Sequence, residues 1–150
     1  DGIVNSDVID IMKRKLTSTF SSDDLSKMTL VCIPASTIED NEDRYSSFSE
    51  RLCNSLGMRN AFSHITITKE KTQSHLGGTD AAEYSFDQSF FKDANIILFD
   101  DVVTRGRSMS QFKTILERFG ARVICALSIG RTYSDYHGDI RYPHPWTGTL

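Results

Sequence analysis

The stretch IILFDDVVTRGRSMSQF, residues 96–112, constrains the fold of this chain more than any other segment. Four apolar residues run directly into two adjacent acids, Asp100 and Asp101, and a turn containing Gly106 separates these acids from an amphipathic segment. The apolar run predicts a strand that is buried on both faces, and the segment from Ser108 onward predicts a helix. A strand, a polar turn and a helix in this order are typical of the units that build a parallel sheet.

Similar alternation extends over most of the chain. Short β-rich runs predict strands at residues 29–35, 61–68, 95–99 and 122–129. Apolar residues at helical spacing predict helices over residues 3–20, 43–56 and 108–119. The expected fold class is therefore α/β with three layers, a parallel sheet with helices on both faces. Residues 69–88 lack periodicity and are predicted to form a mobile loop, and no regular element is predicted beyond Gly130.

Composition limits the kinds of partner. A chain of 150 residues with 39% hydrophobic residues is expected to form a single domain over residues 1–150. Its first residue is Asp1 and not Met, so the sequence is expected to be a piece of a longer chain. The net charge of -3 makes nucleic acid an unexpected partner, and no apolar run is long enough for a membrane span. Cys32, Cys53 and Cys125 are widely spaced without a CxxC pair, which predicts reduced thiols and a cytoplasmic location.

The acids and the turn after them suggest a particular kind of ligand. In open parallel sheets, ligands bind beyond the carboxyl ends of the strands, where Asp100 and Asp101 are expected. Carboxylates suit hydroxyl donors or a magnesium ion, and the start of the following helix offers backbone N–H groups to an anion. Gly106 lets the backbone approach an oxyanion, with Arg105 and Arg107 adding positive charge. A sugar phosphate carries both chemical features.

The segment from Ile96 to Met109 closely resembles the signature of the type I phosphoribosyltransferases. In that family an apolar strand, two acids and a hydroxyl- and glycine-containing loop bind 5-phosphoribosyl-1-pyrophosphate (PRPP). The resemblance implies that Asp100 and Asp101 hold the ribose 2- and 3-hydroxyls. It also implies that the 5-phosphate is bound by Thr104, Arg105, Gly106, Arg107 and Ser108.

A second, less specific resemblance covers roughly residues 30–130. IPASTIEDNEDRYSSFSERLCNSLG and the later KTQSHLGG are similar to the ComF-type, amidophosphoribosyltransferase-like branch of the same family. This similarity implies a pyrophosphate loop at Ala35, Ser36 and Thr37. Pro34 and the lack of an adjacent basic residue depart from the family pattern, so Arg44 is expected to serve the pyrophosphate. The lysines of the loop that closes over the reacting centre would be Lys69 and Lys71.

The resemblance implies a reaction as well as a ligand. The chain would transfer the 5-phosphoribosyl group of PRPP to a nitrogen nucleophile with release of pyrophosphate, using Lys69, Lys71, Asp100 and Asp101 as catalytic residues. The Mg²⁺ cofactor would be carried with PRPP near the two acids and not by a dedicated protein site. A small or incomplete hood would choose the acceptor, which the sequence does not identify. Thr104 replaces an aspartate of the purine-salvage members, which counts against hypoxanthine and guanine, and a homodimer is compatible with the family.

Other interpretations stay open. A regulatory or DNA-uptake-associated protein could keep the PRPP site as a sensor without turnover. A receiver domain also carries paired acids after a strand, but there the pair follows the first strand. In the plainest interpretation the acids are solvated and Ser108 caps a helix together with Gln111. His64 is expected to be packed or hydrogen-bonded, and the histidine spacing suggests no zinc site.

Overall fold

The computed structural model describes residues 6–73, 79–103 and 107–131 of the chain. In chain order its elements are α1 (Ser6–Thr19), α2 (Ser22–Ser26), β1 (Met28–Cys32), α3 (Ile38–Asn41), a π-helical turn (Glu42–Ser46), α4 (Ser47–Leu56), β2 (Arg59–Asn60), a 3-10 turn (Phe62–His64), β3 (Ile65–Lys69), β4 (Thr72–Gln73), β5 (Thr79–Asp80), β6 (Glu83–Phe86), α5 (Gln88–Phe91), β7 (Asn95–Val103), α6 (Arg107–Arg118) and β8 (Arg122–Arg131).

A four-stranded parallel sheet in the order β2-β1-β7-β8 lies at the centre. Cys32 at the end of β1 is paired with Phe99, and Asp100 is paired with Ser128 of β8. The chain therefore leaves β1 beside the point where β7 reaches its two acids. The expected α/β architecture, with a parallel sheet between helices, is confirmed.

Both faces of the sheet are covered. Along β7, Ile97 and Phe99 join the apolar cluster of α1, α2 and α4, whereas Ile96 and Leu98 join the cluster of α5, α6 and β3. All four side chains are completely buried. This double burial explains why β7 begins with a continuous apolar run, because neither face of the strand meets water.

The predicted strand at 61–68 differs from the structure in its place and its partner. It begins with the 3-10 turn, and β3 pairs antiparallel with β6 outside the parallel sheet. Ile65 and Ile67 are buried while Thr66 and Thr68 are exposed, so only one face of β3 is covered. Alternation of this kind is typical of an antiparallel pair with one face in water.

The segment 69–88 is more regular than predicted. It contains β4, which pairs antiparallel with β5, and it also contains β6. Two-residue strands are too short to produce a periodic pattern, and β6 is recognisable only by the half-buried Tyr84 and Phe86. The prediction of a loop without regular structure was therefore wrong for these strands, and its predicted mobility stays a prediction.

Helix α1 belongs to the layer that covers the sheet. It buries Ile9, Met12 and Leu16 in the same apolar cluster as α4, whereas Ile11 is half exposed. The predicted residues 3–5 of this helix and the tail from residue 132 lie outside the described residues. Among the helices of the described ranges, none has the length and apolar character that crossing a membrane requires.

Candidate functional site

The acid pair directly follows the buried run of β7. Phe99, the residue before the pair, is fully buried, whereas Asp100 and Asp101 are only partly buried. The N–H of Ile33 donates to the carbonyl oxygen of Phe99 at 2.8 Å, so the segment after β1 starts next to the acids. The carboxyl end of β1 therefore lies beside the acids. The sequence predicted that the strand ends at Phe99, whereas β7 continues through both acids to Val103, and Asp100 pairs with Ser128 of β8.

Two consecutive residues of the π-helical turn contact the acids. The guanidinium of Arg44 forms an ion pair with the carboxylate of Asp101, with Nη1 and Oδ2 3.2 Å apart. The hydroxyl of Tyr45 donates to Oδ1 of Asp100 at 3.4 Å and accepts the N–H of Asp101 at 3.3 Å. Arg44 was predicted to serve the pyrophosphate loop, and in this structure it pairs with Asp101, one of the acids assigned to the ribose.

Burial and the neighbouring acid change the protonation of Asp100. Its pKa is raised to about 7, first because the carboxyl is desolvated and then because Asp101 lies beside it, while the hydrogen bond from Tyr45 acts in the opposite direction. The pKa of Tyr45 is raised by burial and by the charges of both acids. Near neutral pH the carboxyl of Asp100 therefore exchanges between acid and carboxylate. It can donate or accept a hydrogen bond.

The predicted pyrophosphate loop is held by three neighbouring contacts. The N–H of Ala35 donates to Oδ1 of Asn41 at 3.0 Å, and the hydroxyl of Thr37 accepts the N–H of Asp40 at 3.1 Å, which makes Thr37 the N-cap of α3. The carbonyl oxygen of Ser36 accepts the N–H of Lys71 at 3.0 Å.

The last of these contacts ties the two predicted loops together. Lys71 belongs to the segment assigned to closure, and Glu70 beside it accepts the N–H of Ile38 at 2.9 Å. Both Lys69 and Lys71 are exposed. The structure therefore brings the backbone of the predicted closing segment against the predicted pyrophosphate loop, with the lysine side chains at the surface.

The predicted 5-phosphate loop is described only at its end. Thr104, Arg105 and Gly106 lie outside the described residues, and α6 begins at Arg107. Ser108 is exposed and lies within the first turn of α6. Because the helix begins one residue earlier, Ser108 does not stand at its N-cap as the plainest interpretation requires.

The donor set at this edge fits a magnesium ion that arrives with a phosphate ligand. Magnesium takes oxygen ligands and is commonly bound by one or two carboxylates together with substrate phosphates. Asp100 and Asp101 supply two carboxylates of this kind. Within residues 6–73, 79–103 and 107–131, no group of three His, Cys, Asp or Glu side chains could hold a metal ion.

Residues predicted to be structural are engaged elsewhere in the fold. Nδ1 of His64 lies 3.0 Å from Oδ2 of Asp87, and its ring stacks on Phe90 with the centroids 3.6 Å apart. The pKa of Asp87 is lowered, first by the hydrogen bond from His64 and then by a hydrogen bond from Ser89. The three cysteines are buried and free of disulfides.

Three residues of the site were not identified from the sequence: Tyr45, Asn41 and Glu70. Each forms a hydrogen bond with a residue distant in the chain or with a backbone N–H group. Contacts of these two kinds leave no periodic pattern in the sequence. Tyr45 carried one usable signal. It is the single aromatic residue in the polar run EDNEDRYSS, and aromatic side chains bury a large area when they pack in a core.

Comparison with known proteins supports the fold. No protein-family model matches the chain, and no curated protein matches it. Among solved structures, an adenine phosphoribosyltransferase is similar with a TM-score of 0.55 at 14% identity, over 85% of this chain and 72% of that one. A hypothetical protein from Neisseria gonorrhoeae with bound ppGpp is similar with a TM-score of 0.52 at 9% identity, over 99% of this chain and 82% of that one. At these identities the likeness shows the fold alone, an α/β fold that this chain shares with both proteins.

Proposed function

We propose that this chain binds PRPP with magnesium and transfers its 5-phosphoribosyl group to a nitrogen nucleophile, releasing pyrophosphate. The observation that carries the proposal is the acid pair within β7, held by Arg44 and Tyr45 beside the loop that follows β1. The phosphoribosyltransferase fold supports it. The ComF-type branch, a homodimer and a cytoplasmic location belong to the same proposal.

The reaction is a displacement at the anomeric carbon of the ribose. A bond forms between the acceptor nitrogen and this carbon, the bond to the pyrophosphate oxygen breaks, and its electron pair leaves with the pyrophosphate. The acceptor then loses a proton to solvent. Positive charge develops on the sugar ring, so accurate placement of the ribose between acceptor and leaving group provides much of the acceleration.

The residues divide these tasks. Asp100 and Asp101 accept hydrogen bonds from the ribose hydroxyls, while the loop of Ala35, Ser36 and Thr37 and the segment with Lys69 and Lys71 lie toward the pyrophosphate. Asp100 and Asp101 would hold a magnesium ion that arrives with PRPP, and the ion would supply positive charge that neutralises the leaving group. Closure of the lysine segment excludes water that would otherwise hydrolyse the reacting sugar.

Magnesium and PRPP together are expected to raise the melting temperature of the chain. Ligand at one hundred times its dissociation constant stabilises the folded state by about 2.7 kcal/mol. For a chain of this size that corresponds to a shift of roughly 5–10 °C. The measurement is a thermal unfolding series with millimolar PRPP, with and without Mg²⁺. Mg²⁺ alone and PRPP with a chelator are the controls, and an unchanged melting temperature with both ligands present removes the proposal.

A second candidate function is a sensor that binds a phosphorylated ribose without turnover. The observation that favours it is the bound ppGpp in the Neisseria gonorrhoeae protein that shares this fold. A sensor needs Asp100 and Asp101 to bind the ribose, but it needs no place for a nitrogen nucleophile. Pyrophosphate release separates the two functions, because only a transferase breaks the bond to the leaving group.

We expect pyrophosphate to appear only when the correct acceptor is supplied. The assay measures release from PRPP with ammonia, glutamine, orotate, uracil, adenine, guanine and xanthine in parallel. Release with one acceptor, lost when residues 71–78 are deleted, supports the transferase, because a reactive ribosyl group needs an enclosed site. Tight binding without release, and with unchanged affinity after the deletion, supports the sensor instead.

A further inference from the structure

Tyr45 occupies an unusual place between the apolar core and the acid pair. It lies in the π-helical turn Glu42–Ser46, is 1% exposed, and is the buried residue of that turn. Its ring meets Phe99 edge-on with the centroids 6.2 Å apart. The ring is therefore fixed by packing against Phe99, the residue before the acids, and its hydroxyl emerges beside the first acid.

That hydroxyl joins two consecutive residues through different groups. It donates to the carboxyl of Asp100 and accepts the backbone N–H of Asp101, so one oxygen sets the side chain of the first acid and the backbone of the second. Arg44, the preceding residue of the turn, pairs with the carboxylate of Asp101. Thus one turn of helix contacts both acids in sequence.

A purely structural role does not require this arrangement. A buried phenol is satisfied by any single hydrogen-bond partner, and a carbonyl oxygen of the backbone would serve. Here the hydroxyl meets two groups at the edge where the ligand is expected. π-helical turns occur frequently at functional sites, which agrees with the position of this one.

We infer that Tyr45 is a positioning residue that fixes Asp100 and Asp101 relative to each other so that they can receive two adjacent ribose hydroxyls. The inference rests on the proposed function, and it adds a residue that contacts the acids and not the substrate. Vicinal hydroxyls present two donors at a fixed separation. Two carboxylates bind them together only when neither acid is free to turn away. The phenol restrains the carboxyl of Asp100 and the backbone of Asp101, whose own carboxylate pairs with Arg44.

The test replaces Tyr45 by phenylalanine. Y45F keeps the ring packed on Phe99 and removes only the hydroxyl, so its melting temperature without ligand is expected to stay within a few degrees of the wild type. Loss of this restraint is expected to weaken PRPP and ribose 5-phosphate by about tenfold. Inorganic pyrophosphate, which has no ribose, is expected to bind equally to both proteins. Calorimetry with Mg²⁺ present, using competition for the weaker ligands, measures the three affinities.

The matched control is Tyr84→Phe. Tyr84 is a half-buried tyrosine whose ring lies 5.4 Å from that of Phe112 on the opposite face of the sheet, and Y84F removes a phenol hydroxyl far from the acids. All three affinities of Y84F should equal those of the wild type. This control shows whether loss of any half-buried hydroxyl is enough to weaken the ribose ligands.

The possible outcomes separate the inference from the proposed function. Wild-type affinity of Y45F for the ribose ligands overturns the positioning role while PRPP binding itself stands. Equal weakening of pyrophosphate and ribose ligands also overturns it, because the loss is then a general effect on the fold. A wild-type chain that binds no PRPP overturns the proposed function and the inference together.

Discussion

Replacing Asp100 and Asp101 together by asparagine is expected to weaken PRPP binding at least a hundredfold while the chain remains folded. Each hydrogen bond to a charged group contributes about 1.5–3 kcal/mol, so two lost carboxylates correspond to a factor of one hundred or more. Asparagine preserves the shape of both side chains, and both positions lie beyond the fully buried part of β7. Calorimetry with PRPP and Mg²⁺ measures the affinity, and circular dichroism measures the fold.

A matched variant distinguishes local recognition from general charge attraction. Asp10→Asn combined with Asp23→Asn changes the net charge by the same amount at two exposed positions on α1 and α2. This variant should bind PRPP as the wild type does. If the variant at Asp100 and Asp101 also retains wild-type affinity, those acids do not recognise the ribose.

The parallel core could be predicted because its sequence signal is local. In β1 and β7, buried residues face both helical layers, and the resulting continuous apolar runs identify such strands without knowledge of their partners. The acids directly after IILF then identify the ligand edge, because strand direction fixes which end of the sheet they reach.

The antiparallel pair of β3 and β6 was not predicted. The alternation of apolar and polar residues in β3 was taken to indicate a strand of the parallel sheet. Buried Ile65 and Ile67 alternate with exposed Thr66 and Thr68, which describes a strand covered on one face only. Such a strand does not belong inside a parallel sheet that helices cover on both sides. The same observation predicts an antiparallel partner, and β6 is that partner. Tyr84 and Phe86 of β6 pack with Ile65 in the apolar cluster of α5, α6 and β3.

The contacts that organise the acids could not be predicted from the sequence. Arg44 and Asp101 are 57 residues apart, and Tyr45 and Asp100 are 55 apart. Such pairs come together only after the parallel sheet and the covering helices have formed. Sequence spacing therefore indicated that acids stand at the edge. It did not indicate what holds them or that burial raises the pKa of Asp100.

The perturbed carboxyl of Asp100 makes stability depend on pH. Its folded-state pKa is raised to about 7, above the unfolded value of about 3.9, so the folded chain retains a proton that the unfolded chain has lost. Between these values the folded state binds more protons, and the free energy of unfolding falls as pH rises, by at most about 1.4 kcal/mol per pH unit. Solvent reaches part of this half-buried group and reduces the effect below that limit. Above about pH 8 the folded carboxyl is ionised as well, so the loss of stability is complete and stays constant.

Asp100→Asn is therefore expected to be more stable than the wild type at pH 8 and close to it at pH 4.5, because an amide never takes the buried negative charge. Thermal unfolding of both proteins at these two pH values, in the absence of Mg²⁺ and PRPP, measures the difference. Asp10→Asn, on the exposed face of α1, is the control and should differ equally from the wild type at both pH values. The raised pKa of Asp100 is contradicted if the difference in melting temperature between the wild type and Asp100→Asn is the same at pH 4.5 and at pH 8. If the difference appears and disappears again when Mg²⁺ and PRPP are added, the charge that destabilises the free chain is the charge that the ligand uses, since hydroxyl donors and a cation stabilise the ionised carboxylate.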